Sequence, residues 1–292
     1  MILLTGATGR VGKAAAAELL SQGVPFRAFI RDADKFEHAG DGVEVVVGDF
    51  TDPDSVSRAV KGVTRALIVM GNHPDQAMLE QRFATVAAEA GVAHLVKVSS
   101  MEAAPDATAA LPKNHFETEQ HIAGLNLNWT FLRPNYYMQN MLMYAASVSR
   151  ISSFALPLGR ANTAMIDARD VGRVAARVLS EEGHEQQIYR LTGPERLNFH
   201  DVAGQMSSVL QRSIEYIEQT PEAFREVLGQ FIQSPWQLDA VCSYLVKLRQ
   251  DLSTSKPRRW RTCSAPHPRP LPRLLQSLLA HFQHLLRRAS AL

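Results

Sequence analysis

The chain is poor in cysteine: Cys242 and Cys263 are the only two among 292 residues. They stand 21 positions apart with no ligand-type motif around them. This excludes a disulfide framework and a cysteine metal centre, and it fits a reducing compartment. Long apolar runs are also missing. The longest, such as Ala66–Met70, fall far short of the ~20 residues that cross a bilayer. A signal peptide is not expected, because a glycine-rich turn already begins at Gly6. A cytoplasmic protein without a membrane partner is therefore expected. The ten histidines show no metal-ligand spacing, so no metal is expected. Neither an internal repeat nor a heptad run is present.

Acidic residues are absent from one segment. Lys256–Leu292 holds one Lys, seven Arg and no Asp or Glu. The rest of the chain has 23 basic against 29 acidic residues, so the formal net charge of +2 belongs to the tail. Binding of nucleic acid by the folded body is not expected. Five prolines lie between Pro257 and Pro272. Residues 253–292 read as a basic Pro/Arg tail, disordered or non-native, with a basic arm for an acidic partner as the competing reading.

What is present starts at the first residue. An apolar run, Ile2–Leu4, stops at a loop with Gly6, Gly9 and Gly12, and an alanine-rich helical stretch follows at once. Strand, tight turn and helix in this order seat a dinucleotide pyrophosphate on a helix N-terminus. Gly6, Thr8, Gly9, Arg10, Val11 and Gly12 are the expected contacts. Strand-like runs at Pro25–Ile30, Val43–Val47, Ala66–Met70, His94–Val98 and Trp129–Leu132 alternate with helical patterns. This predicts an α/β fold: a Rossmann-type, doubly wound parallel sheet over residues 1–134, its strands buried on both faces. Residues 135–252 predict a smaller α+β substrate lobe, partly interleaved with the sheet, beginning with a helix over Tyr136–Val148.

The second strand selects the cofactor. It ends in Ile30-Arg-Asp32, with Arg31 where an acidic residue would hold the ribose hydroxyl of NAD. A guanidinium suits a 2′-phosphate, and Lys35 adds charge, so NADPH is expected over NADH. Asp49 and Phe50 are expected at the adenine. Gly71 and Asn72 are expected near the pyrophosphate or nicotinamide ribose. Ser99 and Pro134 end neighbouring strands on the ligand edge of the sheet.

Taken together, Thr5-Gly-Ala-Thr-Gly-Arg-Val-Gly12, Gly48-Asp-Phe50, Val98-Ser-Ser100 and Leu132-Arg-Pro134 resemble the NmrA-like branch of the atypical short-chain dehydrogenase/reductases. Met165–Val171 and Tyr189–Gly193 look like two further landmarks. The resemblance runs over about residues 1–236. That branch includes NAD(P)H:quinone oxidoreductases, triphenylmethane-dye reductases and NADP-sensing regulators. It implies Ser100 as an active-site serine. Ordinary short-chain reductases use a Tyr and, four residues on, a Lys; alignment on Glu119 puts Leu111 and His115 there. His115-Phe-Glu-Thr-Glu119 resembles the corresponding stretch of the quinone- and dye-reducing subgroup. His115 is the candidate group at the nicotinamide or at the product, with a purely structural helix residue as the other reading. Met101, Tyr136, Tyr137, Met138 and Met141 read either as the wall of an apolar substrate pocket or as helix core.

The expectation is an NADPH-dependent reductase of a small-molecule, quinone-like or extended conjugated acceptor. It would work as monomer or homodimer, without the Tyr/Lys acid pair. A non-catalytic NADP(H)-sensing regulator and a natural-product tailoring reductase or isomerase remain open at this point.

Overall fold

In the computed structural model of the protein, residues 1–37, 40, 42–254, 269–271, 273 and 274 are described. The first half alternates strand and helix: β1 (Ile2–Thr5), α1 (Arg10–Ser21), β2 (Phe26–Ile30), β3 (Val43–Val47), α2 (Pro53–Val60), β4 (Arg65–Ile68), α3 (Gln76–Glu89), β5 (His94–Val98), α4 (Ala110–Ala123) and β6 (Asn128–Pro134). The second half contributes α5 (Ala145–Ile151), β7 (Ser153–Leu156), α6 (Ala168–Ser180), β8 (Gln187–Leu191), α7 (Phe199–Leu210), β9 (Glu215–Glu218), α8 (Pro221–Gly229) and α9 (Pro235–Thr254).

Contacts divide the chain into two units. The first joins Met1–Pro134 to Ala168–Leu191. It holds a seven-stranded sheet in the order β3-β2-β1-β4-β5-β6-β8, with every neighbouring pair parallel. This is the doubly wound Rossmann-type arrangement. Strand order reverses between β1 and β4, the switch point outside whose carboxyl ends ligands bind in open α/β sheets.

Helices cover both faces. On one, Leu79, Phe83 and Ala84 of α3 and Ile122 of α4 pack on Leu3, Ile68, Leu95 and Phe131 of the strands. On the other, α1 runs along α6. Their approach depends on Gly172, where a Cβ would stand 2.5 Å from the Ala14 side chain and 2.5 Å from the Val11 carbonyl oxygen. Helix starts follow local chemistry. Asp52 caps α2 ahead of Pro53, and Thr220 caps α8 ahead of Pro221. Asn198 and Asp201 close a capping box on α7.

One strand departs from the expected burial. Val43–Val47 was expected to be covered on both faces, yet Val45 and Val47 are 39% and 52% exposed. β3 is the edge of the sheet, paired only to β2, so its apolar run has lost one neighbour and part of its cover.

The second unit takes Asn135–Asp167 and the described residues after Leu191. Its strands β7 and β9 pair in parallel, and Phe154, Phe199, Met206, Tyr216 and Leu245 form its core. Its first segment is not the single helix expected over Tyr136–Val148. Ile166 binds the backbone on both sides of Tyr137, accepting from Met138 N and donating to the Tyr136 carbonyl. The chain is thus held extended until Met138. A tight 3-10 stretch, Met138–Tyr144, then leads into α5. Most of the 253–292 tail lies outside the described residues; Leu271 and Leu274, which are described, are buried in the second unit's core.

A β-carbon in the α1–α6 contact has no room to relax, because two of its three nearest atoms are backbone. Gly172→Val is expected to destabilise the protein by about 1–3 kcal/mol, the usual cost of overpacking. Chemical denaturation measures it, and an unchanged midpoint would show that α6 can shift away from α1.

Candidate active site

The glycine loop is built by backbone contacts that exclude side chains. Gly6 has φ +59, and a Cβ there would lie 2.6 Å from the Val69 carbonyl oxygen at the end of β4. Gly9 N donates to the Gly6 carbonyl at 2.8 Å. A Cβ on Gly12 would overlap that same carbonyl. The loop is thereby folded back onto the first turn of α1. Gly9 caps that helix in an extended conformation with no side-chain cap. The first amides of α1 therefore have no internal acceptor and face an exposed surface at Thr8, Gly9 and Arg10. This is the geometry of an anion cradle at a helix N-terminus, while Val11 and Gly12 are buried behind it.

Charges gather at the ends of β2 and β3. Arg31 is exposed at the tip of β2. Lys35 pairs with Asp32 at 3.2 Å, and this contact, with the Asp34 amide, holds the Asp32 carboxyl below its usual range. Asp49 accepts from the hydroxyl and amide of Thr51 at 2.7 and 2.8 Å. Those bonds lower its pKa, helped by the charges of Arg31 and His73. Phe50 is buried against Phe29 and Phe83. Gly71 and Asn72 are exposed after β4.

The serines at the end of β5 differ. Ser99 is 4% exposed, and its hydroxyl has no protein partner. Ser100 is half-buried and donates to Glu102 at 2.6 Å. Met101 N bonds the Pro134 carbonyl, tying this loop to the end of β6. The Met101 sulfur accepts from Arg190 of β8.

Beneath this edge lies a set of buried charges that the sequence reading did not identify. Lys97 of β5 and Glu80 of α3 are both fully buried and pair at 2.6 Å. Arg133 of β6 forms a two-pronged ion pair with Glu119 of α4. Thr118 donates to Glu80 as well, 3.3 Å away, joining α4 to the first pair. Lys97 and Arg133 project from adjacent strands on the face covered by α3 and α4. The available signal was a lysine inside the apolar strand His94–Val98.

His115 stands one turn before Glu119 on α4, four residues after Leu111. Its Nδ1 is buried with no protein partner. Burial, then the charges of Lys97 and Arg133, press its pKa well below 6.5, so the imidazole is neutral at physiological pH. Lys113 is exposed and pairs with Glu117 at 3.8 Å; it points away from that set. In the second unit, Tyr136, Met138 and Met141 are buried in the core, and Tyr136 packs edge-on against Phe199. Burial raises the Tyr136 phenol, against a hydrogen bond from Asn140. Tyr137 is half-buried. A Cβ on Gly193 would overlap the Met165 carbonyl, so the two late landmark segments touch. Asp167 accepts from Gln139, and Asp170 pairs with Arg173. Among the described residues no His/Cys/Asp/Glu group could hold a metal ion, and no helix is long and apolar enough to cross a membrane.

Residues 6–182, from the first glycine of the loop to just past α6, match the family described as NAD(P)H-binding. The chain belongs to this NAD(P)H-binding family. The chain is 35% identical over 229 residues to the NAD(P)H azoreductase of Xenophilus azovorans, covering 78% of this chain and 80% of that one. It is 35% identical over 280 residues to the (4-alkanoyl-5-oxo-2,5-dihydrofuran-3-yl)methyl phosphate reductase of Streptomyces griseus, covering 91% and 98%. Its fold matches the NADPH complex of the quinone oxidoreductase QOR2 of Escherichia coli at a TM-score of 0.85 and 24% identity, over 96% and 100% of the two chains. It is an NAD(P)H-dependent oxidoreductase.

The depressed pKa of His115 links protonation to stability. Below pH 6.5 the unfolded chain binds a proton at this position that the native protein refuses, so stability falls on acidification. His94, lowered mainly by burial, acts in the same direction. The melting temperature is expected to drop between about pH 7.5 and about pH 5.5, and to drop less in His115→Gln. Parallel profiles for the two proteins would contradict the assignment.

Proposed function

We propose that the protein is an NADPH-dependent reductase that delivers a hydride to an electron-poor conjugated system of the quinone, azo or unsaturated-carbonyl kind. The observation that carries this reading is His115. The resemblance, aligned on Glu119, gives it the position of the lysine in the usual acid pair and gives Leu111 that of the tyrosine; its protonated form is opposed by burial and by the charges of Lys97 and Arg133. A site so arranged has no strong acid to assist attack on an isolated carbonyl. A conjugated acceptor needs little such help, because hydride addition leaves an anion that the acceptor itself delocalises. Positioning then supplies much of the rate.

In this reading the first turn of α1 and the backbone at Gly6, Thr8, Gly9 and Arg10 hold the cofactor's pyrophosphate, with Val11 and Gly12 fixing the turn behind it. Arg31 and Lys35 receive the 2′-phosphate, for which Lys35 exchanges its exposed pairing with Asp32. Asp49 and Phe50 border the adenine. Gly71, Asn72, Ser99 and Pro134 border the nicotinamide ribose. Bound dihydronicotinamide supplies the hydride. His115, neutral, offers a hydrogen bond to the nicotinamide end or to the acceptor, and Ser100 with Glu102 orients the loop over it. Met101 of the sheet unit is part-exposed and is the pocket residue with surface to offer; in the second unit Tyr137 is part-exposed, while Tyr136, Met138 and Met141 belong to its core.

A natural-product tailoring reductase is the second reading. The Streptomyces griseus relative favours it, matching 91% of this chain at 35% identity, and the substrate in that relative's name is itself an unsaturated conjugated lactone. Both readings share one reaction, reduction of a polarised double bond.

Purified protein is expected to oxidise NADPH with members of a panel of quinones, azo dyes and unsaturated lactones. Tight NADPH binding without turnover on any of them would overturn the proposal. Loss of the guanidinium in Arg31→Ala is expected to weaken NADPH binding by about 1.5–3 kcal/mol, the range for hydrogen bonds to charged groups. NADH binding should stay as it was. Equal losses for the two cofactors would remove Arg31 from the 2′-phosphate.

A further inference from the structure

Polar atoms without protein partners are concentrated around one ion pair. Gln76 is fully buried, and neither atom of its amide is hydrogen-bonded by the protein. Glu80, one turn later on α3, binds Lys97 and Thr118 through Oε2 only; its buried Oε1 has no protein partner. Ser99 follows β5, two residues beyond Lys97, with its hydroxyl buried and unmatched. His115 of α4, close enough to Lys97 for that charge to act on it, adds the unmatched Nδ1. A buried amide left without bonds costs as much as several good contacts return. Five such atoms, on α3, on α4 and just after β5 beside one buried ion pair, call for hydrogen-bonding occupants. The smallest that can donate and accept to all of them is water.

We propose that Gln76, Glu80, Ser99 and His115 enclose ordered water that forms a proton relay to the reduced acceptor. The relay rests on the reading of the protein as a hydride-transferring reductase. Hydride addition leaves an anionic product and oxidised cofactor, and that anion requires one proton. The enclosed water passes it outward through the Ser99 hydroxyl or the part-buried His115 imidazole. Bulk water then restores the proton, and no other co-reactant is consumed. Lys97 and Glu80 act as positioning residues: their pairing leaves Glu80 Oε1 available to the water rather than to a side chain. The relay also accounts for a neutral His115, since an imidazole with a free Nδ1 can pass a proton along without storing it.

Gln76→Met and Ser99→Ala test the proposal. Methionine is close to glutamine in volume, so a Gln76 that serves packing alone predicts a higher melting temperature and unchanged turnover. The relay predicts a fall in kcat of about tenfold or more, and in Gln76→Met the NADPH dissociation constant from fluorescence titration is unchanged. Solvent deuterium is then expected to slow the variants more than the wild type, and Ser99→Thr is expected to recover most of the activity lost in Ser99→Ala. A high-resolution crystal structure supplies a readout apart from turnover, with water expected on the Gln76 amide and on Glu80 Oε1. Wild-type kcat in Gln76→Met, or side chains that pair with one another around a dry centre, would overturn the relay alone. A wild type that binds NADPH and reduces none of the acceptors overturns the functional reading and the relay with it.

Discussion

The constraint on which the sheet unit depends is the approach of backbone to backbone around Gly6. Its carbonyl accepts from Gly9 and lies where any side chain on Gly12 would go. That contact sets the direction of α1 as it leaves β1. The same helix then meets α6 at Gly172, again at a distance that admits no β-carbon. One face of the sheet is therefore assembled by the absence of side chains at a few positions. The anion cradle follows from this directly. The first-turn amides of α1 have no intrahelical acceptor, as in any helix, and the Gly9 cap brings no side chain to supply one.

The other face is assembled by charge. Lys97 and Arg133 stand on adjacent strands, each matched by a carboxylate from a different helix. Buried pairs of this kind are weak evidence for net stability, since desolvation offsets much of the attraction. Their geometry has a clearer effect: α3 and α4 are held in fixed register against β5 and β6, and two positive charges lie beneath His115. The electrostatics of the candidate site thus originate one layer below it.

The strands were legible because their apolar runs are short and bounded by turns, and the glycine loop because its three glycines follow a strand and open a helix. β3 was legible as a strand but not as an edge; strand order depends on pairing partners, which an apolar run does not encode. The single helix expected after Tyr136 failed for a similar reason. The backbone there is engaged by Ile166, a residue distant in sequence. The helix α9 was not expected, although Leu238, Val241, Cys242, Leu245 and Leu248 recur at helical spacing and pack into the second unit's core. At the candidate site, residues placed by the glycine loop or by a strand end could be named in advance as candidates. Glu80 and Gln76 could not, because their meaning lies in what they face across the fold. Tyr136, Met138 and Met141 show the limit from the other side: the same apolar pattern serves a pocket wall or a core, and burial separates the two.

The sheet unit is interrupted in sequence. It runs to Pro134, breaks off, and resumes at Ala168 to supply α6 and the last strand, β8. During synthesis, β6 therefore emerges well before the neighbour that covers its open edge. It must wait for Asn135–Asp167 and then α6 to leave the ribosome. Until then an edge normally inside the sheet is free to pair wrongly, and α1 lacks the helix that fills its contact at Gly172. Non-local pairing of this kind slows folding and exposes strand edges to aggregation. The glycine loop can form with the first twenty or so residues of the chain, but the sheet that gives it a fixed place is complete only once Leu191 has been made.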